Sequence, residues 1–237
     1  MEGMVLMKNK RHIKIDLFSD IDNIDKKKQI AKKIAEKVEN NQIIGFGSGS
    51  TSFVTAVEIA KKIEENHLNI MAVPTSYEMR LTCDVFEIPI IESPLRVLDW
   101  CFDGADEVDK NGWIIKGRGG AMFKEKMNIV NSLKTYILID DTKKVEKLGQ
   151  KFDVPVECHP SSIEYVARQL KELGAISTKL RIAEDGKDGP IITESGNFII
   201  DTKFEKIEEM LEKNIKSIVG VIESGLFINY NNIEIVN

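Results

Sequence analysis

The 237-residue chain has few of the residues that cross-link small proteins or hold metal ions. Its three cysteines (Cys83, Cys101 and Cys158) are odd in number and too widely spaced for a disulfide framework or a zinc site. Its three histidines (His12, His67 and His159) are equally scattered. We therefore expect reduced thiols in a cytoplasmic protein.

Long apolar runs and an excess of positive charge are also missing. No run of apolar residues approaches the roughly 20 residues of a membrane span, and residues 1–10 lack the apolar stretch of a signal peptide. Lys and Arg number 33 against 38 Asp and Glu, so the net charge is −5 and no basic footprint for nucleic acid exists. These absences predict a chain with neither a membrane nor a nucleic-acid partner.

Strands and helices alternate in the first 148 residues. Apolar runs predict strands at 42–46, 69–73, 97–102, 113–116 and 136–139. Helical spacing predicts helices at 25–38, 53–63, 77–85 and from the glycines near 120 to residue 131, after an extension at 1–20. This alternation predicts an α/β fold with a mostly parallel sheet and helices on both faces, of Rossmann-like type.

The pattern changes near Gly149. Extended segments are predicted at 154–158, 180–183, 191–193, 197–201, 217–222 and 226–230, with helices at 161–173 and 204–211. Such short spacing indicates a smaller α+β domain with an antiparallel sheet. We therefore predict a catalytic domain of residues 1–148 with 230–237, and a smaller domain of residues 149–229.

Four polar loops follow the carboxyl ends of predicted strands, at 47–51, 103–109, 116–126 and 140–143. In open α/β sheets ligands bind at that edge. The loops are therefore expected to form one site.

The loop at 116–126 combines Lys116, closely spaced glycines and Glu125. Glycines let a ligand approach backbone N–H groups and can form an anion-binding concavity. A lysine can stabilise a developing oxyanion, and a carboxylate can move a proton. A plain tight turn before a helix is the alternative interpretation.

The loop at 47–51 does not fit a dinucleotide-binding fingerprint. The third glycine of that pattern would fall at Ser50 or Ser52, and no acidic residue occupies the second strand. Ser48, Ser50 and Thr51 at a helix N-terminus suit a phosphate monoester, although a simple helix cap remains the alternative.

The loop at 103–109 carries Asp103, Asp106, Glu107 and Asp109. Close carboxylates repel each other, so one of them can hold a proton near neutral pH. They could also bind sugar hydroxyls. A metal is not expected, because no histidine partners them and nearby lysines would compete with a cation.

The ordered set of these motifs resembles type A ribose-5-phosphate isomerase. The matching stretches are Gly47-Ser48-Gly49-Ser50-Thr51, Asp103-Gly104-Ala105-Asp106-Glu107, Lys116-Gly117-Arg118-Gly119-Gly120-Ala121 and Lys124-Glu125-Lys126. The similarity continues in Pro155-Val156-Glu157, Gly189-Pro190, Gly196-Asn197 and Gly225-Leu226-Phe227. Arg118 departs from the pattern, since many members have glycine there.

The resemblance implies interconversion of D-ribose 5-phosphate and D-ribulose 5-phosphate through an enediol, in the pentose phosphate pathway and without a cofactor. It implies that Glu125 is the base, that Lys116 neutralises the enediolate, and that Asp103 and Asp106 help ring opening or hydroxyl proton transfer. The implied substrate-binding residues are Ser48, Gly49, Ser50, Thr51, Asp103, Gly104, Ala105, Asp106, Lys116, Gly117, Arg118, Gly119 and Lys143. Family members are usually homodimers or homotetramers.

Two alternatives come from other classes of protein. A coenzyme A transferase-like enzyme would share the glycine-rich loop and use a glutamate as nucleophile. A sugar-phosphate-sensing regulator would share the fold, but it needs a DNA-binding module for which the short N-terminal extension leaves no room.

Overall fold

The computed structural model describes Phe18, residues 21–92 and residues 96–237. The predicted extension at 1–20 lies outside the described residues except for Phe18. The helices are α1 (Ile24–Ala35), α2 (Ser50–Asn66), α3 (Tyr77–Val85), α4 (Met122–Val130), α5 (Ile163–Glu172) and α6 (Leu211–Lys216). The strands are β1 (Ile43–Phe46), β2 (Met71–Pro74), β3 (Trp100–Gly104), β4 (Glu107–Val108), β5 (Ile114–Ile115), β6 (Thr135–Leu138), β7 (Val154–Cys158), β8 (Ala175–Leu180), β9 (Phe198–Phe204), β10 (Val221–Ser224), β11 (Leu226–Phe227) and β12 (Ile233–Val236).

The predicted parallel sheet is confirmed. Its five strands lie in the order β12-β6-β3-β1-β2, and all neighbours are parallel. Side chains of β3 alternate between its faces, as a strand requires. Phe102 packs with the core under α1, α2 and α3, whereas Cys101 packs with Ile129 of α4 on the other face.

A second sheet is antiparallel, in the order β10-β7-β9-β8. Helix α5 covers it with Val166 and Leu170, which pack with Val154 and Val156 of β7. The predicted α+β region with an antiparallel sheet is therefore present.

Several predicted boundaries in the second half are wrong. The segment at 204–211 is not a helix, because Phe204 ends β9, and the helix α6 begins only at Leu211. The predicted strand at 180–183 lies too late, because β8 pairs with β9 over Ala175–Leu180. Residues 191–193 form no strand.

The predicted strand at 113–116 exists but belongs to a different sheet. Strand β5 pairs antiparallel with β4 and with β11, in a three-stranded sheet of order β11-β5-β4. This small sheet takes β4 and β5 from the first half of the chain and β11 from its end. In the sequence, β4 and β5 precede the strands of the four-stranded sheet and β11 follows them. The small sheet therefore joins the chain before and after that sheet.

None of the helices in the described part of the chain combines the length and apolar character needed to cross a membrane.

Candidate active site

Three charged side chains meet at the carboxyl edge of the parallel sheet. Lys116 Nζ lies 2.8 Å from Asp103 Oδ2 and also pairs with Glu125 Oε2. All three side chains are almost fully buried, with 2 to 6% of each exposed. We call Asp103, Lys116 and Glu125 the buried triad.

Each member of the buried triad comes from a different element. Asp103 lies in β3, Lys116 directly follows β5 of the three-stranded sheet, and Glu125 lies in the first turn of α4. Lys116 and Glu125, which belong to the same loop in the sequence, are in direct contact. Lys116 reaches this edge from a second sheet, which the pattern of the sequence did not predict.

Two glycines allow the backbone to approach the buried triad. A Cβ at Gly47 would lie 2.2 Å from Asp103 Cγ, so any larger residue there would displace the carboxylate. Gly117, directly after Lys116, has φ of 101°, which L side chains rarely adopt. Local sequence therefore shapes the floor of the site.

The buried triad shifts the proton affinities of its members. Burial raises the pKa of Glu125, as does the negative charge of Asp103, and despite Lys116 it reaches about 7. Burial also raises the pKa of Asp103. Burial alone would lower the pKa of Lys116, but the two carboxylates outweigh it and raise that pKa above its usual value. Lys116 is therefore a permanent cation beside a base that titrates near neutrality.

The serine loop, residues 47–51, lies beside Asp103. The Ser48 N–H donates to Asp103 Oδ1 at 3.2 Å, and Ser48 Oγ lies 2.7 Å from Thr75 Oγ1. The Gly49 N–H donates to Glu78 Oε2 at 3.1 Å. Helix α2 begins at Ser50 and continues through Thr51, so its free N–H groups face this edge of the sheet.

A cationic corner, formed by Lys27, Arg118 and Lys143, adjoins the start of α2. Lys27 Nζ donates to Ser50 Oγ at 3.0 Å. Burial lowers the pKa of Lys27, and the nearby positive charges of Lys143 and Arg118 lower it further, while Asp140 opposes them. This corner offers positive charge at a helix N-terminus, which is a favourable anion site.

Lys27 belongs to none of the motifs found in the sequence. It lies in α1 among other lysines, yet it is only 9% exposed. A signal was present, because positions 27, 30 and 34 share the spacing of the buried stripe that Ile30 and Ile34 define. A lysine on the apolar stripe of a helix is the feature to look for.

Not every acidic residue of the 103–109 loop faces the site. Asp106 is half-buried and accepts the Arg118 N–H at 3.2 Å. Gly104 and Ala105 connect it to Asp103, and the Gly104 N–H donates to Asp103 Oδ1 at 2.8 Å. Glu107, in contrast, is fully buried and accepts backbone N–H groups of Gly149, Lys151 and Phe152. It therefore fixes a loop and faces away from the reaction.

A lysine on a helix is expected to face solvent, but Lys126 does not. Lys126 is 6% exposed and bonds Glu212 at 2.7 Å, Glu223 at 2.9 Å and the Leu226 carbonyl at 2.8 Å. Helix α4 is therefore buried on two of its sides. Glu125 faces the buried triad, and Lys126 faces Glu212 and Glu223. Lys124 lies over the ring of Tyr77 at 5.4 Å.

Cys101 is not a reactive group. It is 1% exposed, its Sγ lies 3.1 Å from Thr135 Oγ1, and burial raises its pKa to about 11. The thiol is therefore protonated at neutral pH and serves as core packing.

The fold and this chemistry define an α/β enzyme that transfers protons on a small anionic substrate. A titratable carboxylate beside a permanent ammonium, close to an anion-binding corner, suits the isomerisation of a sugar phosphate. A family model described as Ribose 5-phosphate isomerase A (phosphoriboisomerase A) matches residues 71–237, and the chain belongs to this family.

Individual relatives agree with the family match. Ribose-5-phosphate isomerase A of Methanocaldococcus jannaschii is 39% identical over 208 residues, which cover 86% of this chain and 91% of the relative. That of Thermosynechococcus vestitus is 38% identical and covers 89% of this chain and 90% of the relative.

Solved structures give the same result. Ribose 5-phosphate isomerase A from M. jannaschii superposes with a TM-score of 0.85 at 36% identity, over 91% of this chain and 96% of that one. A D-ribose-5-phosphate isomerase in complex with phospho-erythronic acid superposes with a TM-score of 0.84 at 35% identity, over 91% of this chain and 95% of that one. The resemblance found in the sequence motifs is confirmed, and the transferase-like and regulatory alternatives are not supported.

Proposed function

We propose that this chain interconverts D-ribose 5-phosphate and D-ribulose 5-phosphate by proton transfer at the buried triad. Membership of the family makes it a ribose-5-phosphate isomerase of the pentose phosphate pathway. One observation carries the mechanism: Glu125, whose pKa is raised to about 7 by burial and by Asp103, pairs with the ammonium of Lys116.

Glu125 is the base in this proposal. Its carboxylate removes the proton from C2 of the open-chain aldose, and the electron pair moves to form the C1–C2 double bond and an oxyanion at O1. Protonated Glu125 then returns the proton to C1, while a hydroxyl proton passes from O2 to O1, so the product is the isomeric ketose. A base that titrates near 7 is matched to both steps at neutral pH.

Lys116 stabilises the oxyanion in this mechanism. The buried environment strengthens its attraction for the developing charge and keeps it protonated throughout. Asp103 and Asp106 lie at the sugar end, where they accept hydroxyl protons during ring opening or exchange between the oxygens. The Ser48 and Gly104 N–H groups hold Asp103 in place for that role.

The phosphate lies at the other end of the site in this proposal. The serine loop offers the hydroxyls of Ser50 and Thr51 and the N-terminus of α2, and the cationic corner supplies positive charge beside it. Gly117, Arg118 and Gly119 line the wall between the two ends. Binding energy at the phosphate can then orient the reacting carbons.

The proposal includes the division of the chain, its assembly and its compartment. We assign residues 1–148 with 230–237 to the catalytic domain and residues 149–229 to the smaller domain, with the three-stranded sheet as their junction. We further propose a cytoplasmic homodimer or homotetramer without a cofactor. The three free, buried thiols are consistent with a reducing compartment.

A direct assay tests the proposed activity. Purified chain is given D-ribose 5-phosphate without any additive, and formation of the ketose phosphate is followed. D-ribose is the matched control, because it presents the same reacting carbons without the phosphate. We expect efficient conversion of the phosphate ester alone. No ketose from either sugar would contradict the proposal, and equal turnover of both would contradict the assigned phosphate end.

A further inference from the structure

The side chain of Arg181 connects the antiparallel sheet to the glycine loop, residues 117–120. Its Nη1 donates to the Arg118 carbonyl at 2.6 Å and to the Gly117 carbonyl at 3.3 Å. Its Nε donates to Asp201 Oδ2 at 2.8 Å, and its Nη2 pairs with Asp201 Oδ1. One planar guanidinium thus grips a carboxylate on one side and two successive loop carbonyls on the other.

The backbone of Arg181 is itself fixed. Its N–H donates to the Ile199 carbonyl at 2.8 Å, and its carbonyl accepts the Ile191 N–H at 2.9 Å. Asp201 lies in β9, in the middle of the four-stranded sheet. Arg181 is therefore held by the four-stranded sheet where it bonds the glycine loop.

The hydrogen bonds to the Gly117 and Arg118 carbonyls determine where the N–H groups of the glycine loop point. In a trans peptide the C=O and the N–H of one unit point in opposite directions, and the described chain contains no cis peptide bond. The Gly117 carbonyl accepts the Gly120 N–H at 3.1 Å as well as Arg181 Nη1. The N–H of the same peptide, that of Arg118, therefore points away and donates to Asp106. With the Arg118 carbonyl held as well, the Gly119 N–H points to the same side.

Two successive N–H groups on one side form an anion-binding concavity. The Arg118 N–H already has Asp106 as its acceptor. The Gly119 N–H has no hydrogen-bond acceptor among the residues that the structure describes. Gly119 is exposed, and a Cβ there would meet nothing within 4 Å, so the loop leaves room for a ligand beside this residue.

We propose that Arg181, oriented by Asp201, is a positioning residue that turns the Gly119 N–H into the active site as a donor to the oxyanion of the reaction. The inference rests on the proposed function, because it uses the oxyanion formed there. Arg181 itself touches no substrate. It acts mainly by holding the Arg118 carbonyl outward, and it adds to the bond by which the Gly120 N–H holds the Gly117 carbonyl, so that the Gly119 N–H stays turned toward the site.

Arg181→Lys tests this role. Lysine keeps the positive charge but lacks the planar fork, so it cannot hold Asp201 and two carbonyls together. Removal of one oxyanion donor costs about 10²–10³ in turnover. Since the donor is misplaced and not removed, we expect kcat to fall at least about tenfold with KM little changed. Asp201→Asn should give a weaker effect of the same kind.

A binding measurement separates positioning from general loosening. Phospho-erythronic acid carries a carboxylate at the reacting end, whereas inorganic phosphate occupies only the phosphate end. We expect Arg181→Lys to lower the affinity for phospho-erythronic acid at least about fivefold more than the affinity for inorganic phosphate. Arg168→Met, which removes an exposed arginine stacked on Tyr165 in α5, should change neither affinity.

The outcomes are separable. Turnover within about twofold of wild type in Arg181→Lys, or equal weakening of both ligands, would overturn the positioning role. A wild-type chain that isomerises no pentose phosphate would contradict the proposed function, and the binding comparison would still decide the role of Arg181.

Discussion

The charge of Asp103 should set the pH at which the enzyme becomes active. Glu125 must be deprotonated before it can accept a proton, so kcat/KM of the wild type should rise with pH through about 7. Asp103 raises the pKa of Glu125. Removing that charge in Asp103→Asn should therefore lower the pKa of Glu125. The acidic limb of the curve of kcat/KM against pH, where activity rises with pH, should then move to lower pH.

The size of the shift follows from the geometry. Both carboxylates contact Lys116 Nζ, so their charges lie within about 6 Å of one another. A unit charge at about 6 Å, in a medium of effective dielectric constant about 20, is worth about 3 kcal/mol, or about two pKa units. We expect a shift of the limb of one to two pH units, whatever the change in maximal rate.

Kinetics across pH would measure this shift, because kcat/KM reports ionisation of the free enzyme. Asp106→Asn is the matched control, since Asp106 also raises the pKa of Glu125 but ranks below Asp103 among the causes. Its limb should move in the same direction by a smaller amount. A limb that stays in place in Asp103→Asn, or moves to higher pH, would refute the electrostatic account of the buried triad.

Three further predictions concern the metal, the phosphate and the support of α4. Full activity is expected after exhaustive treatment with EDTA, because Lys116 already occupies the position between the two carboxylates; loss that only a divalent ion restores would contradict Lys116 as the electrophile. Thr51→Val and Lys27→Met should each raise KM for D-ribose 5-phosphate at least about tenfold, a loss of about 1.4 kcal/mol, with little change in the unfolding midpoint, and an unchanged KM would remove that residue from the phosphate site. Lys126→Met should lower the free energy of unfolding in urea by about 3–5 kcal/mol, because it leaves Glu212 buried without its cation and leaves Glu223 with only the half-exposed Lys216; a loss below about 1 kcal/mol would show that the cluster is solvated.

Local periodicity was enough to predict the parallel sheet and the edge at which its polar loops meet. Strands β1, β3 and β6 are short apolar runs, and the polar residues after them converge because parallel strands end at one edge. The sheet that carries β5 was not predictable in this way. A two-residue strand has no periodicity, and its partners β4 and β11 are set by tertiary packing.

The missed residues share a different cause. Lys27 and Lys126 are lysines on helices, and a sequence alone gives a helical lysine a solvated face by default. Each is buried here because its ammonium group has an oxygen partner. Lys27 Nζ donates to Ser50, and Lys126 Nζ donates to Glu212. Arg181 lies 63 residues from the carbonyl of Arg118 that it holds, so no local pattern could connect them.

The central claim is that Glu125 transfers the proton. Glu125→Gln keeps the size and much of the hydrogen bonding but removes the base. Turnover of D-ribose 5-phosphate by folded Glu125→Gln, compared with Glu172→Gln on the exposed end of α5, tests the claim most directly. The account predicts a loss of at least about a hundredfold, the lower end for a general base, with phospho-erythronic acid still bound and Glu172→Gln fully active. Near-normal turnover by folded Glu125→Gln would contradict it and return the choice of base to Asp103 and Asp106.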